Sequence, residues 1–214
     1  MESERNWIVV RVDGKLAGIS MDYGRLAEIT AEIAQKHDEA RRRQKAKADK
    51  TAAKCRQKTP LAYSEITAQA VSFDEILQLR QTVCWEDFML FGTDFQKRIW
   101  KKLWELTTSG TNTSSKVRLL SYSDFAEFCG NRSGVRPVAH AIALNPLPVI
   151  IPCHLVVPKE SIDKIREIKR RAESTIFKGE DLCLDSILSD TAIDFGEYAQ
   201  GKGLKRVLIM HDLK

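Results

Sequence analysis

Residues 6–23 carry β-type patterning, with Trp7-Ile8-Val9-Val10-Arg11-Val12 and Leu16 to Ile19 on either side of Asp13-Gly14. An Asp-Gly pair between two such runs supplies the positive φ angles of a two-residue turn, so the segment reads as a β-hairpin. Residues 25–58 read as a helix: Leu26, Ile29, Ile33 and Ala40 keep helical spacing, after which apolar residues run out. Residues 59–90 form a mixed segment with a helix at 72–80. Beyond it, Phe95, Ile99, Leu103 and Leu106, with Trp100 and Trp104, make one apolar helical face. A Ser/Thr/Gly/Asn loop follows at 107–116. Ser121 is placed to N-cap a helix over 122–129, which Gly130-Asn131 ends. After a turn at 130–134 a second short helix runs to about Leu144, with Pro137 tolerated only in its first turn. Two short helices around a Gly-containing turn make a helix-turn-helix pattern. The expected fold is an N-terminal α/β unit over residues 1–90 and a mostly α C-terminal domain over 91–214. The second carries a winged-helix-like helix-turn-helix.

Asn145-Pro-Leu-Pro-Val-Ile-Ile-Pro-Cys153-His154-Leu155-Val-Val concentrates the candidate chemistry. The β-branched run Val149-Ile150-Ile151 reads as a short buried strand, and Pro152, which has no N–H for a sheet ladder, ends it and leaves Cys153 at its tip. A thiol beside an imidazole is a nucleophile if the imidazole draws off its proton. The dipeptide alone fits a buried cysteine beside an unrelated surface histidine better, because cysteine is among the most buried residue types.

The flanking residues decide between these. Asn145-Pro…Ile-Pro-Cys153-His154-x-Val-Val resembles the active-site motif of the O6-alkylguanine-DNA alkyltransferases, also called methylated-DNA–protein-cysteine methyltransferases. Further segments match that family in order and spacing: Phe95-Gln96-x-x-Ile99-Trp100, Ser121-Tyr122-x-x-x-Ala126-x-x-x-Gly130, and Arg136-x-Val138-x-x-Ala141-x-x-x-Asn145-Pro146. Gly196-x-Tyr198-Ala-x-Gly201-x-x-x-Lys205-Arg-x-Leu208-Ile209-x-x-Asp212 is similar to the family's C-terminal motif. The resemblance covers about residues 91–158 and 195–214. Residues 159–193 have no counterpart in it and read as an inserted helical hairpin near the mouth of the pocket.

The resemblance implies a direct, stoichiometric transfer of an alkyl group from guanine O6 to Cys153, without a cofactor or metal. His154 would take the thiol proton and Asp212, in place of the family's glutamate, would orient His154. Asn145 would fix the cysteine loop, and Tyr122 would contact the extruded base and a phosphate and serve as proton donor. Ser121, Tyr122, Arg136, Ala139 and His140 are the implied DNA contacts, with Arg136 filling the gap left by the flipped nucleotide. The small side chains of Ala139, Ala141 and Ala143 would let that helix approach a minor groove closely. Tyr198, Val156 and Gly201 would wall the base pocket. The partner implied is double-stranded DNA containing O6-alkylguanine, bound by a monomer. The chain departs from the family at Leu155, where an arginine follows Cys-His, at His140, where a small residue is usual, and at Gln200, which replaces the first glycine of a pair. A damage-binding module that transfers nothing, and a thiol hydrolase with a Cys-His-Asp triad, are the competing readings.

Composition agrees with the resemblance. A formal charge of +5 and a pI near 8.9 suit a polyanionic partner. From Lys36 to Lys58 ten Lys/Arg face three Asp/Glu, either a second DNA-contacting arm or a solvated helix. Five cysteines without paired spacing point to reduced thiols in an intracellular compartment, cytoplasmic in a bacterium or nuclear in a eukaryote. Neither a zinc-ligand cluster, a signal peptide nor a membrane span is expected.

Overall fold

The computed structural model describes residues 7–21, 26–52, 65–108, 119–175 and 193–213. The chain divides into two compact units, residues 1–93 and 94–214.

In the first unit β1 (Trp7–Val12) and β2 (Lys15–Ser20) form the expected hairpin. Asp13 and Gly14 at its turn have φ of 50° and 76°, the pairing a type I′ turn requires. Consecutive Val10 and Arg11 of β1 pair with Gly18 and Leu16, so Ala17 is the extra residue of a bulge in β2. Helix α1 (Leu26–Ala52) places Ile29 and Ile33 against Ile8, Val10, Val12 and Ala17. The alternate residue Trp7 stacks on Phe73 at 6.0 Å, so both faces of β1 are covered. Phe73 opens α2 (Phe73–Thr82), which Ser72 and Glu75 start with a reciprocal capping box. Strand β3 (Ile66–Val71) pairs antiparallel with β1 and completes a sheet ordered β2-β1-β3. The sequence pattern does not single out β3, because four of its six residues are exposed and no apolar alternation marks it. Of the basic run at 36–58, residues 53–58 lie outside the described residues.

The second unit opens with α3 (Asp94–Thr108), whose Ile99, Trp100, Leu103 and Trp104 are buried. Strand β4 (Leu120–Ser121) pairs in parallel with β5 (Val156–Val157). Between them lie α4 (Tyr122–Phe128) and α5 (Val135–Ala143). Ser121 Oγ accepts from the Asp124 N–H as N-cap of α4. Gly134 N-caps α5, and a Cβ there would collide with the Asn131 side chain. Pro137 is the third residue of α5, inside the first turn where its missing N–H costs nothing. Helix α6 (Lys159–Thr175) buries Ile162 and Ile165 against Val157, Ile193, Phe195 and Ile209. That core is shared with α7 (Lys202–Asp212). The remainder of the expected hairpin, residues 176–192, lies outside the described residues.

One hydrogen bond ties α3 to α5. Trp100 Nε1 donates to the Ala141 carbonyl at 2.8 Å in a buried setting, satisfying one of the carbonyls that a helix leaves open in its last turn. Trp100→Phe removes the donor but keeps most of the ring. It is expected to lower stability by about 1–3 kcal/mol, the cost of a buried acceptor without a partner. An unchanged urea midpoint would show that the carbonyl finds another donor.

Candidate functional site

The segment expected as a strand is folded differently. Val149-Ile150-Ile151 is fully buried but forms consecutive turns: the Ile151 N–H donates to the Leu147 carbonyl and the Cys153 N–H to the Ile151 carbonyl, both at 2.8 Å. Val149 sits at φ 73°, a left-handed conformation that is an outlier for a β-branched residue. A short apolar run does not distinguish a buried strand from a buried turn, and prolines at 148 and 152 remove ladder donors at both ends.

Asn145 holds this turn with its whole amide. Its Oδ1 accepts from the Leu147 N–H at 3.1 Å, and its Nδ2 donates to the Ile151 carbonyl at 2.9 Å and to Cys153 Sγ at 3.1 Å. Cys153 begins a 3-10 turn, Cys153–Leu155, and is buried. Burial pushes its thiol above the ordinary value. Hydrogen bonds from Asn145 and Tyr198 and the positive charge of Lys205 pull the other way.

His154 points away into the protein and is wholly buried. Its Nε2 lies 2.7 Å from Asp212 Oδ2, whose side chain is 5% exposed. The Tyr198 ring meets the imidazole edge-on at 6.4 Å. The turn around Cys153 and the end of α7 thus bring together residues 58 positions apart. Lys205, also from α7, is buried and donates to the Val156 carbonyl at 3.0 Å and the Glu197 carbonyl at 3.5 Å. Burial lowers its pKa to about 8.

A cavity of about 310 Å³ opens at Cys153, within the range of small-molecule sites. Tyr122, Asn145, Tyr198, Ala139 and Gln200 line it together with Lys205. Tyr122 is half-buried, and desolvation, followed by the nearby Cys153, raises its hydroxyl pKa.

Several expected placements change. Val156 is fully buried and serves through its carbonyl as an anchor for Lys205 rather than as part of the cavity wall. Gly201 is the exposed N-cap of α7 at φ 94°, and the wall is formed by the preceding residue, Gln200. Ser121 is 1% exposed with its hydroxyl committed to the α4 cap, which withdraws it from a DNA surface. Ala141 packs inward at 1% exposure, leaving Ala139 and Ala143 as the small residues facing outward, while Arg136 and His140 are exposed on α5. Leu155 is fully buried, so apolar packing occupies the position of the family's arginine. No residue of α6 lines the cavity, so the described part of 159–193 does not stand at its mouth.

Lys205 carries no role in the sequence reading, although it lies three and four residues before the buried Leu208 and Ile209. A cation on the apolar stripe of a helix is the signal that finds it. Among the described residues no group of three or more His, Cys, Asp or Glu side chains is placed to hold a metal ion. No described helix is long and apolar enough to cross a membrane.

Residues 94–173 match the family model described as 6-O-methylguanine DNA methyltransferase, DNA binding domain. A probable methylated-DNA–protein-cysteine methyltransferase of Acanthamoeba polyphaga mimivirus is 41% identical over 75 residues, 35% of this chain and 45% of the relative. The methylated-DNA–protein-cysteine methyltransferase of Kluyveromyces lactis is 35% identical over 68 residues, 32% of each chain. The match therefore spans less than half the length of these curated relatives. The Mycobacterium tuberculosis OGT crystallised in complex with DNA is 25% identical, with a TM-score of 0.35 over 58% of this chain and 52% of that one.

Proposed function

We propose that this chain, whose residues 94–173 match the DNA-binding-domain model of the 6-O-methylguanine DNA methyltransferases, repairs O6-alkylguanine in duplex DNA by moving the alkyl group to Cys153. The observation that carries the proposal is the thiol itself. It opens on a cavity and is held by Asn145, and the next residue is a histidine paired with a buried carboxylate.

In the proposed reaction Sγ attacks the alkyl carbon in line, the S–C bond forms, and the C–O6 bond breaks with its electron pair left on the purine. The thiol proton passes through a water to His154, whose cation Asp212 stabilises. The leaving guanine regains a proton through the Tyr122 hydroxyl. Lys205 adds a positive charge that favours the thiolate over the neutral thiol. A thioether does not revert, so each molecule acts once, with no cofactor. Helices α4 and α5 act as a helix-turn-helix laid in the minor groove, which favours backbone and shape contacts. The protein binds as a monomer, in a reducing compartment that holds DNA.

Incubation with a duplex containing O6-methylguanine should add one methyl group to the intact protein, mapped by peptide analysis to Cys153. A module that only binds damage would retard the same duplex in a gel and keep its mass. Turnover of an ester or amide would indicate a hydrolase instead.

Arg136 extends from the exposed side of α5, where its planar guanidinium suits stacking into the space left by a flipped base. Arg136→Ala is expected to slow transfer from duplex DNA by about tenfold to a hundredfold, the scale of losing a few kcal/mol of flipped-state stabilisation. Transfer from free O6-benzylguanine, which needs no flipping, should be little changed. Equal losses on the two substrates would mean that Arg136 acts in the fold or in the chemistry.

A further inference from the structure

Among the described residues two large apolar side chains stand exposed, Phe128 and Leu144, each at 47%. Phe128 is met by the Lys102 ammonium, 5.1 Å from its ring centre, and by the ring of Phe125. Leu144 caps the C-terminal end of α5, where its N–H donates to the His140 carbonyl at 3.2 Å. A lone exposed leucine calls for no explanation by itself, but the place of this one does. Arg136, His140 and Leu144 follow at four-residue spacing on α5 and are all exposed, so they form one ridge. Ala139 and Ala143, one position before His140 and Leu144, line the cavity, as does Asn145. The ridge therefore runs along the rim of the cavity and ends in Leu144. The next residue, Asn145, is hydrogen-bonded to the Cys153 turn, which fixes Leu144 relative to the thiol.

Arg136 and His140 carry N–H donors for phosphate oxygens. A leucine has nothing to offer a phosphate. The walls of a minor groove, however, are deoxyribose carbons, and proteins that bind there press apolar side chains among the sugars and base steps. Arg136 and Leu144 are separated by about 12 Å of helix, or roughly three to four base steps at about 3.4 Å each. We infer that Leu144 is a second DNA contact, packing on the deoxyribose wall of the minor groove a few base steps from the nucleotide whose place Arg136 takes. It anchors the strand beside the cavity mouth by burying apolar surface, not by charge. The inference rests on the reading of α5 as a helix laid in the groove.

The test uses the full chain with Leu144→Gln, which keeps the side chain's length but makes its end polar, and Leu144→Met, which keeps it apolar. Leu144→Gln should weaken binding to an O6-methylguanine duplex by about fivefold, the worth of part of a buried leucine. Leu144→Met should bind like wild type. Because the contact neutralises no phosphate, the slope of log affinity against log salt should be the same in all three proteins. Unchanged affinity in Leu144→Gln, a changed slope, or a loss in Leu144→Met as large as that in Leu144→Gln overturns the inference. Transfer from free O6-benzylguanine and the urea midpoint should not move, and a fall in either would place Leu144 in the fold instead. Sedimentation that rises with concentration in wild type but not in Leu144→Gln would assign the leucine to a second copy of the chain. Should wild type bind the duplex without methylating Cys153, the transfer reading falls, and the affinity comparison still decides the role of Leu144.

Discussion

Cys153→Ala is expected to abolish methyl transfer, by at least about a thousandfold, because no other group in the cavity is a soft nucleophile. Gel retardation of an O6-methylguanine duplex should persist, since the exposed face of α5 is untouched. Transfer that survives the substitution, or a methyl group mapped to Cys55, Cys84, Cys129 or Cys183, would overturn the assignment. The wild-type thiol should also show a characteristic pH response. Burial holds it protonated at neutrality, so its labelling by iodoacetamide should climb about tenfold per pH unit as the thiolate fraction grows. Above about pH 8 Lys205 loses its proton, its attraction for the thiolate fades, and the climb should become shallower. A flat labelling profile through neutrality would indicate a preformed thiolate.

Asp212→Asn should slow transfer by about a hundredfold, the scale of impaired general acid–base catalysis. The amide keeps the size of the side chain but not the charge that stabilises a protonated His154 across 2.7 Å. Because both groups are buried, exchanging a charge-assisted hydrogen bond for a neutral one should also lower stability by about 1 kcal/mol, read from the urea midpoint. DNA affinity should hardly move. The bland alternative is a residue with only a packing role. A stability loss with an unchanged transfer rate would support that alternative and remove Asp212 from the chemistry.

The hairpin, α1 and the starts of α4 and α5 were legible because each has a local cause: Asp13-Gly14 at the turn, the helical spacing of Leu26, Ile29 and Ile33, Ser121 at a cap, and Pro137 confined to a first turn. Strand β3 was not, since its pairing with β1 is a tertiary fact that Ile66–Val71 does not signal in its own pattern. The candidate site residues come from the family resemblance. Their orientation does not, because it depends on a turn that local propensity argues against: a valine at φ 73°. The resemblance also puts two neighbours of cavity residues in the wall. Val156 and Gly201 are neighbours of cavity residues, yet one faces the core and the other starts a helix.

Keeping the Cys153 thiol protonated bears on how long the protein stays useful. Peroxides and stray electrophiles react with thiolates far faster than with thiols. An accessible, acidic cysteine would be oxidised or capped in ordinary metabolism, and a protein that acts once has no second cycle in which to recover. Burial makes Cys153 a poor target at rest. On the proposed mechanism its reactivity appears when a base fills the cavity, displaces water and brings the alkyl carbon into line. The same desolvation that suppresses idle chemistry then serves as a filter for the substrate.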